Sequence, residues 1–274
     1  MKDKYLLAVN KERDKDGAYA KRASEAFEKL GAGFILERDI FNNDLGKYAD
    51  EIKASVVLGG DGTLMRVADS LKCHGIPILG INIGNLGYLT GAEGDELEDA
   101  IERLVTGKYT IEKRMMLDVS VNDGPSKAFL NDAVITRNGY SRMIQVALYV
   151  NGKQLYTLFG DGVIVSTPTG STGYNLSAGG MICVPEAEMT MVMPICPHSM
   201  AAQGFIAAAT DVIEAELLPG RNGTETETGV TIDGNTFIPL KAGDRVKVTK
   251  SESVTRLIKI HDNSFFDIVR AKLV

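Results

Sequence analysis

Residues 55–72, SVVLGGDGTLMRVADSLK, constrain this chain more than any other stretch. Ser55-Val56-Val57-Leu58 is apolar without alternation, as in a short strand buried on both faces. Gly59, Gly60 and Gly62 then bracket a single acid, Asp61. Thr63 is placed to cap a helix, and Leu64, Met65, Ala68 and Leu71 follow at helical spacing. The expectation is strand, glycine turn, helix, with one carboxylate exposed in the turn. Glycines let a backbone approach a ligand closely, and a helix N-terminus favours phosphate. A carboxylate there would repel phosphate unless it binds a cation or takes a proton. That combination suits transfer of a phosphoryl group to a hydroxyl. Glycine turns also close ordinary βα connections, so the tetrapeptide alone leaves both readings open.

The flanking sequence supplies a frame for that turn. Residues 4–9 read as a first strand, 18–30 as an amphipathic helix ending at Gly31, 33–37 as a second strand and 45–53 as a short helix. Residues 77–82 form another apolar strand that runs into a second glycine cluster, 82–87, and 95–106 read as a helix ending at Gly107. Strands alternating with helices imply an α/β unit with a parallel sheet, whose ligands sit beyond the carboxyl ends of the strands. Both glycine clusters fall there.

The texture changes near Tyr109. Strand-like runs at 116–121, 127–136, 145–150, 155–159, 163–166, 230–232 and 245–249 alternate with turn residues, and Asn151-Gly152 is a strong hairpin signal. This half is expected to be mostly β, with 219–229 a polar loop and the boundary at Gly107-Lys108.

With 30 Lys+Arg against 36 Asp+Glu, the net charge of -6 argues against a nucleic acid or an anionic membrane as partner. Cys73, Cys183 and Cys196 are an odd, widely spaced set, expected to be free thiols in a reducing compartment. No apolar run approaches the ~20 residues of a membrane span, and the opening residues lack a secretory signal pattern, so a cytoplasmic location is expected. His74 and His261 have no partners at metal-ligand spacing, and no protein-built metal site is expected.

A third cluster is the longest, Gly160 to Gly180, GDGVIVSTPTGSTGYNLSAGG. Asp161 sits between glycines, a buried strand follows, and residues 167–173 crowd hydroxyls and glycines around Pro168. Such a stretch offers many hydrogen-bond donors and close backbone approach. Asn131-Asp132 are polar within an apolar run, and Tyr88 follows the second glycine turn. Alone, each of these is more often structural.

In order, GGDGTLMRVA (59–68), INIGNLGYLT (81–90), RMML (114–117), LND (130–132), the long signature, TIDGN (231–235) and FFDIVRAKL (265–273) resemble the NAD kinase family over most of the chain. The resemblance implies a two-domain fold, with residues 1–108 and 256–274 as the α/β domain and 109–255 as a β-rich NAD-binding domain, and an active site between them. It implies transfer of a phosphoryl group from ATP, or polyphosphate, to the 2′-hydroxyl of the adenosine ribose of NAD, with Mg²⁺ or another divalent cation. By similarity, Asp61 would be the base, and Gly60 and Gly62 would cradle donor phosphates. Asn131 would contact adenine with Tyr88 packing against it. Asp132 and Asp161 would hold ribose hydroxyls or the nicotinamide end, and Thr172, Gly173, Tyr174 and Ser177 would line the dinucleotide. A homo-oligomer, dimer or tetramer, is also implied. Asp132 stands where the family usually has glutamate, Gly173 replaces alanine, and Phe159 stands where some members carry a basic residue. Nor does Met200 to Phe205 carry the arginine-proline pair often seen nearby. His198 is as consistent with a structural place as with a ligand contact. Two rival readings are a lipid kinase of the diacylglycerol or sphingosine type, which shares GGDGT, and a non-catalytic NAD(P) sensor.

Overall fold

The computed structural model describes residues 3–84, 87–139, 142–220, 227–262 and 264–273. The chain forms two compact units, residues 1–114 with 253–274, and residues 115–252.

The first unit contains β1 (Lys4–Val9), α1 (Ala18–Lys29), β2 (Phe34–Glu37), β3 (Ile52–Gly59), α2 (Asp61–Leu71), β4 (Ile78–Asn82), β5 (Ala92–Glu93) and α3 (Leu97–Thr106). Strands β4-β3-β1-β2 lie side by side and parallel, with β5 also parallel to β4. Alternate residues of the strands serve opposite faces. Tyr5, Leu7, Val9, Ala54, Val56 and Leu58 join Ala23, Phe27, Leu97 and Ile101 of α1 and α3 in one core. On the other face, a Cβ added to Gly59 would stand 2.5 Å from the Thr63 Cβ, and one on Gly80 would stand 2.6 Å from Leu64 Cδ1. Those two glycines let α2 lie close on the sheet.

The expected elements are present with local differences. Only Leu45–Tyr48 is helical in the stretch read as a short helix, as a single 3-10 turn, and Ile52-Lys53 already belong to β3. Thr63 is not the cap of α2. The helix starts at Asp61 after an extended Gly60, and the Thr63 hydroxyl is buried, accepting a hydrogen bond from Asn10 Nδ2 at 2.9 Å.

A long strand, β6 (Thr110–Val121), leads into the second unit. There follow β7 (Lys127–Phe129), β8 (Asp132–Arg137), β9 (Ile144–Val150), β10 (Lys153–Gly160), β11 (Gly162–Ser166), the short α4 (Tyr174–Ser177), β12 (Met189–Ile195), β13 (Phe205–Ala208), β14 (Ile213–Leu218), β15 (Thr228–Ile232), β16 (Thr236–Leu240) and β17 (Arg245–Lys259). One antiparallel sheet runs β13-β12-β11-β8-β15-β16, and another ladder runs β10-β9-β14-β17. Val163, Val165, Ile135 and Val230 of the first share a core with Val146, Leu148, Ala215 and Val246 of the second. Asn151 and Gly152 both have positive φ, 51° and 74°, as a two-residue hairpin turn requires. Residues 221–226 of the expected polar loop lie outside the described residues, while Thr228 and Gly229, counted in that loop, open β15 instead.

The chain then returns to the first unit. Leu257 pairs in parallel with Ile78, Ile258 and Ile260 join the first core, and α5 (Phe265–Leu273) closes the described chain.

Candidate active site

Asp61 is the first residue of α2, reached directly from the carboxyl end of β3. Its carboxylate does not simply face solvent. Oδ2 accepts the Tyr88 N–H at 2.8 Å and Oδ1 accepts the Leu89 N–H at 3.0 Å. One backbone amide on each oxygen fixes the plane of the carboxylate and leaves each oxygen further lone pairs. Gly87 makes this possible, because an added Cβ there would collide with Asp61 Oδ1 and stand 2.8 Å from Thr90 Oγ1. Gly60 and Gly62 are different: an added Cβ meets nothing within 4 Å at either. The space beside them is open, next to the N-terminal end of α2.

Asn82, at the end of β4, shapes the same region. Its Nδ2 donates to Glu93 Oε2 at 2.7 Å and to the Gly84 carbonyl at 3.3 Å. Burial pushes the Glu93 carboxyl up, and the charges of Glu96, Asp95 and Asp61 add to that effect. Tyr88 lies with Lys272 Nζ 4.0 Å from its ring centroid. Burial and the Asp61 charge push its phenol up.

The second unit gathers most of the remaining expected residues around one turn. Leu130 and Asn131 interrupt the run between β7 and β8, so the single strand read at 127–136 is two. Their turn is organised by Asp233, in the hairpin between β15 and β16. The Asp233 carboxylate accepts the N–H groups of Leu130 and Asn131, each at 2.8 Å, and of Asp132 at 3.1 Å. Thr167 Oγ1 donates to the Leu130 carbonyl at 2.5 Å, and the Thr167 N–H to the Asn131 carbonyl at 2.9 Å. At Gly170 an added Cβ would collide with the Asn131 carbonyl oxygen. At Gly173 it would stand 3.6 Å from Asn131 Nδ2 and 3.7 Å from Asp132 Oδ2. Asn131, Asp132 and Gly173 therefore lie side by side. Tyr174 and Ser177 stand exposed on α4, and the Thr172 hydroxyl donates to the Thr169 carbonyl at 3.4 Å. Burial, together with the Asp233 charge, pushes the Asp132 carboxyl up to about 7.

Asp161 is not part of that group. The ladder pairs Ser166 with Asp132 and Gly162 with Thr136, so Asp161 lies at the opposite end of β11, roughly 15 Å along the strand from the Asp132 level. Its Oδ1 accepts Arg137 Nε at 2.8 Å, and Arg137 Nη1 donates to the Gly139 carbonyl at 2.7 Å. His198 belongs to this end: its N–H donates to the Phe159 carbonyl at 2.8 Å and its ring meets the Phe159 ring edge-on, with centroids 5.8 Å apart.

The model of the ATP-NAD kinase N-terminal domain matches residues 10–109, and that of the ATP-NAD kinase C-terminal domain matches residues 130–260. The chain belongs to the NAD kinase family. A relative from Lachnoclostridium phytofermentans, called NAD kinase, is 38% identical over 98% of both chains. The solved structure of an NAD kinase from Archaeoglobus fulgidus in complex with ATP superposes with a TM-score of 0.80, at 27% identity over 98% of this chain and 99% of its own. Yeast NADH kinase complexed with NADH shares the fold, with a TM-score of 0.85 at 20% identity over 98% of this chain and 86% of its own.

Five residues that contact or hold the expected site residues are not assigned by the sequence. Asp233 carries a signal, since Asp-Gly between two apolar runs marks a tight hairpin turn. Gly87 lies inside a recognised glycine cluster. Asn82, Arg137 and Lys272 carry none, because their roles come from contacts with Glu93, Asp161 and Tyr88, which no local pattern joins to them.

Proposed function

We propose that this chain transfers the γ-phosphoryl group of ATP to the 2′-hydroxyl of the adenosine ribose of NAD, giving NADP and ADP. The observation that carries the reading is the Asp61 carboxylate, held by two backbone amides at the start of α2 beside open space at Gly60 and Gly62. Asp61 takes the proton of the attacking hydroxyl as its oxygen bonds to the γ-phosphorus and the bond to ADP breaks. Gly60 and Gly62 let donor phosphates reach the amides of the turn. Asn131 and Asp132 hold the adenosine end of the acceptor, lined by Gly173, Tyr174, Thr172 and Ser177, with Tyr88 against the adenine. Asp161 holds the far end. Its separation from Asp132 along β11 suits the two ends of a dinucleotide.

A divalent cation fits the residues present. Among the described residues no group of three or more His, Cys, Asp or Glu side chains converges. Mg²⁺ keeps several waters and is held largely through substrate phosphates, which the open space at Gly60 and Gly62 would admit. When bound, the ion neutralises charge on the transferring phosphate. Residues 1–108 with 256–274 act as the donor and base domain, and 109–255 as the NAD domain. A homo-oligomer is part of this reading, supported by exposed Ile206 and Phe237 on the outer strands β13 and β16. So is the cytoplasm, supported by three free cysteines.

Incubation with NAD, ATP and Mg²⁺, followed by an NADP-specific dehydrogenase, tests the reaction. NADP should accumulate in proportion to ADP. Phosphorylated diacylglycerol or sphingosine in its place, or NAD binding without product, would overturn the proposal.

A further inference from the structure

We propose that Lys272, near the end of α5, is a positioning residue for phosphoryl transfer: its ammonium holds the Tyr88 ring, and the Tyr88 backbone holds Asp61. The inference rests on Asp61 acting as the base.

The last residues are tied to the first unit at successive points. Leu257 pairs with Ile78, and Arg103 Nη1 donates to the Ile260 carbonyl at 3.0 Å. His261 Nε2 lies 3.1 Å from Glu96 Oε1. The next helix is then started by a reciprocal cap. The Ser264 hydroxyl donates to Asp267 Oδ2 at 2.7 Å, and the Ser264 N–H donates to the same oxygen at 3.1 Å. The Asp267 N–H donates back to Ser264 Oγ at 3.2 Å. This fixed start carries α5 to Lys272, whose Nζ sits 4.0 Å from the Tyr88 ring centroid. A cation so close over an aromatic face is held by the ring quadrupole.

The consequence reaches the carboxylate through the backbone. Tyr88 and Leu89 provide the two N–H groups on Asp61, and the segment starts at Gly87, a position with no side chain of its own to anchor it. Leu89 is buried and anchors one side of this segment; the half-buried Tyr88 side chain is its other handle, and Lys272 grips the Tyr88 ring.

The test is steady-state kinetics on the full chain with ATP, NAD and Mg²⁺. Lys272→Met keeps the length and helix propensity of the side chain but removes the charge. It should lower kcat by roughly 3- to 30-fold, the scale of a cation–π contact, with both KM values within about two-fold. Lys272→Arg should restore kcat to within about two-fold of wild type. The loss should persist in a Tyr88→Phe background and vanish in a Tyr88→Leu background, where there is no ring to hold. A merely stabilising lysine would not show that dependence. An equal loss in the Tyr88→Leu background, an unchanged kcat, or a loss confined to the KM for ATP would overturn the inference. A wild-type protein that makes no NADP would instead defeat the underlying reading of Asp61.

Discussion

The Asp233 carboxylate accepts the backbone N–H of Asn131 at 2.8 Å, across 102 residues of chain. With the N–H groups of Leu130 and Asp132 on the same carboxylate, it holds the turn between β7 and β8 in place of a strand ladder. The arrangement also puts a second carboxylate beside Asp132. Burial first, and that neighbouring charge second, bring the Asp132 carboxyl to about 7 from an ordinary 3.8.

A pH dependence follows from that carboxyl. Below about 7 the folded protein carries Asp132 neutral, and above it ionised. An ionised Asp132 can accept two ribose hydroxyl protons, whereas the neutral acid can accept fewer. The KM for NAD should therefore fall as pH rises from 6 to 8, with an inflection near 7. Asp233→Asn removes the neighbouring charge and should move the inflection to lower pH. Asp132→Asn should abolish it, and an inflection that survived Asp132→Asn would belong to another group. The stability effect has the opposite sign. A raised folded-state value means that the contribution of Asp132 is full below 3.8, declines as pH rises towards about 7, and is absent above that. Thermal melts across that window measure it.

Asp61→Asn should reduce kcat by about 10²- to 10⁴-fold, the usual loss for a removed general base. NAD affinity, measured by titration, should change little. The substitution is less silent structurally than its shape suggests. Both Asp61 oxygens accept a backbone N–H, so the amide NH₂ of asparagine must face one donor with another. That conflict should cost about 1–3 kcal/mol of stability, readable by calorimetry. A kcat within about ten-fold of wild type would demote Asp61 to a structural role.

The contrast between Asp61 and Lys272 shows what a sequence can carry. The turn at 59–62 was legible because its chemistry is local: an apolar strand, glycines, an acid and a helical repeat are contiguous. The Asn131-Asp132 pair was legible as an anomaly, a polar break in an apolar run. What holds the pair, Asp233, entered the sequence reading only within the TIDGN segment, since its hydrogen bonds join strands distant in sequence. Thr63 misled for a related reason. Hydroxyls at helix starts commonly cap, but here Gly59 lets α2 approach the sheet so closely that Thr63 is buried and bonded to Asn10. The family resemblance assigns Asp161 to the same ligand as Asp132, and only the β8–β11 register shows them at opposite ends of a strand. Strands β13, β14 and β16 are apolar enough, FIAA, IEAELL and TFIPL, but at four to six residues a run alone does not separate strand from other structure until its ladder partners are known.

The glycines around Asp61 separate two reasons for having no side chain. At Gly87 the reason is internal, since a Cβ would displace Asp61 Oδ1 from the amides that aim it. Gly87→Ala should therefore lower kcat by roughly ten-fold or more while leaving the KM for ATP nearly unchanged, because the base is mis-aimed and the phosphate cradle is untouched. At Gly60 the protein offers no such reason. An added Cβ meets nothing within 4 Å, and φ of -112° suits any residue. Gly60→Ala should leave the melting temperature close to wild type and raise the KM for ATP, because the new methyl group occupies space that only the donor phosphates would fill. Parallel melts and ATP titrations on the two variants decide it. If Gly60→Ala leaves the KM for ATP unchanged, the open space beside Asp61 is not the donor site.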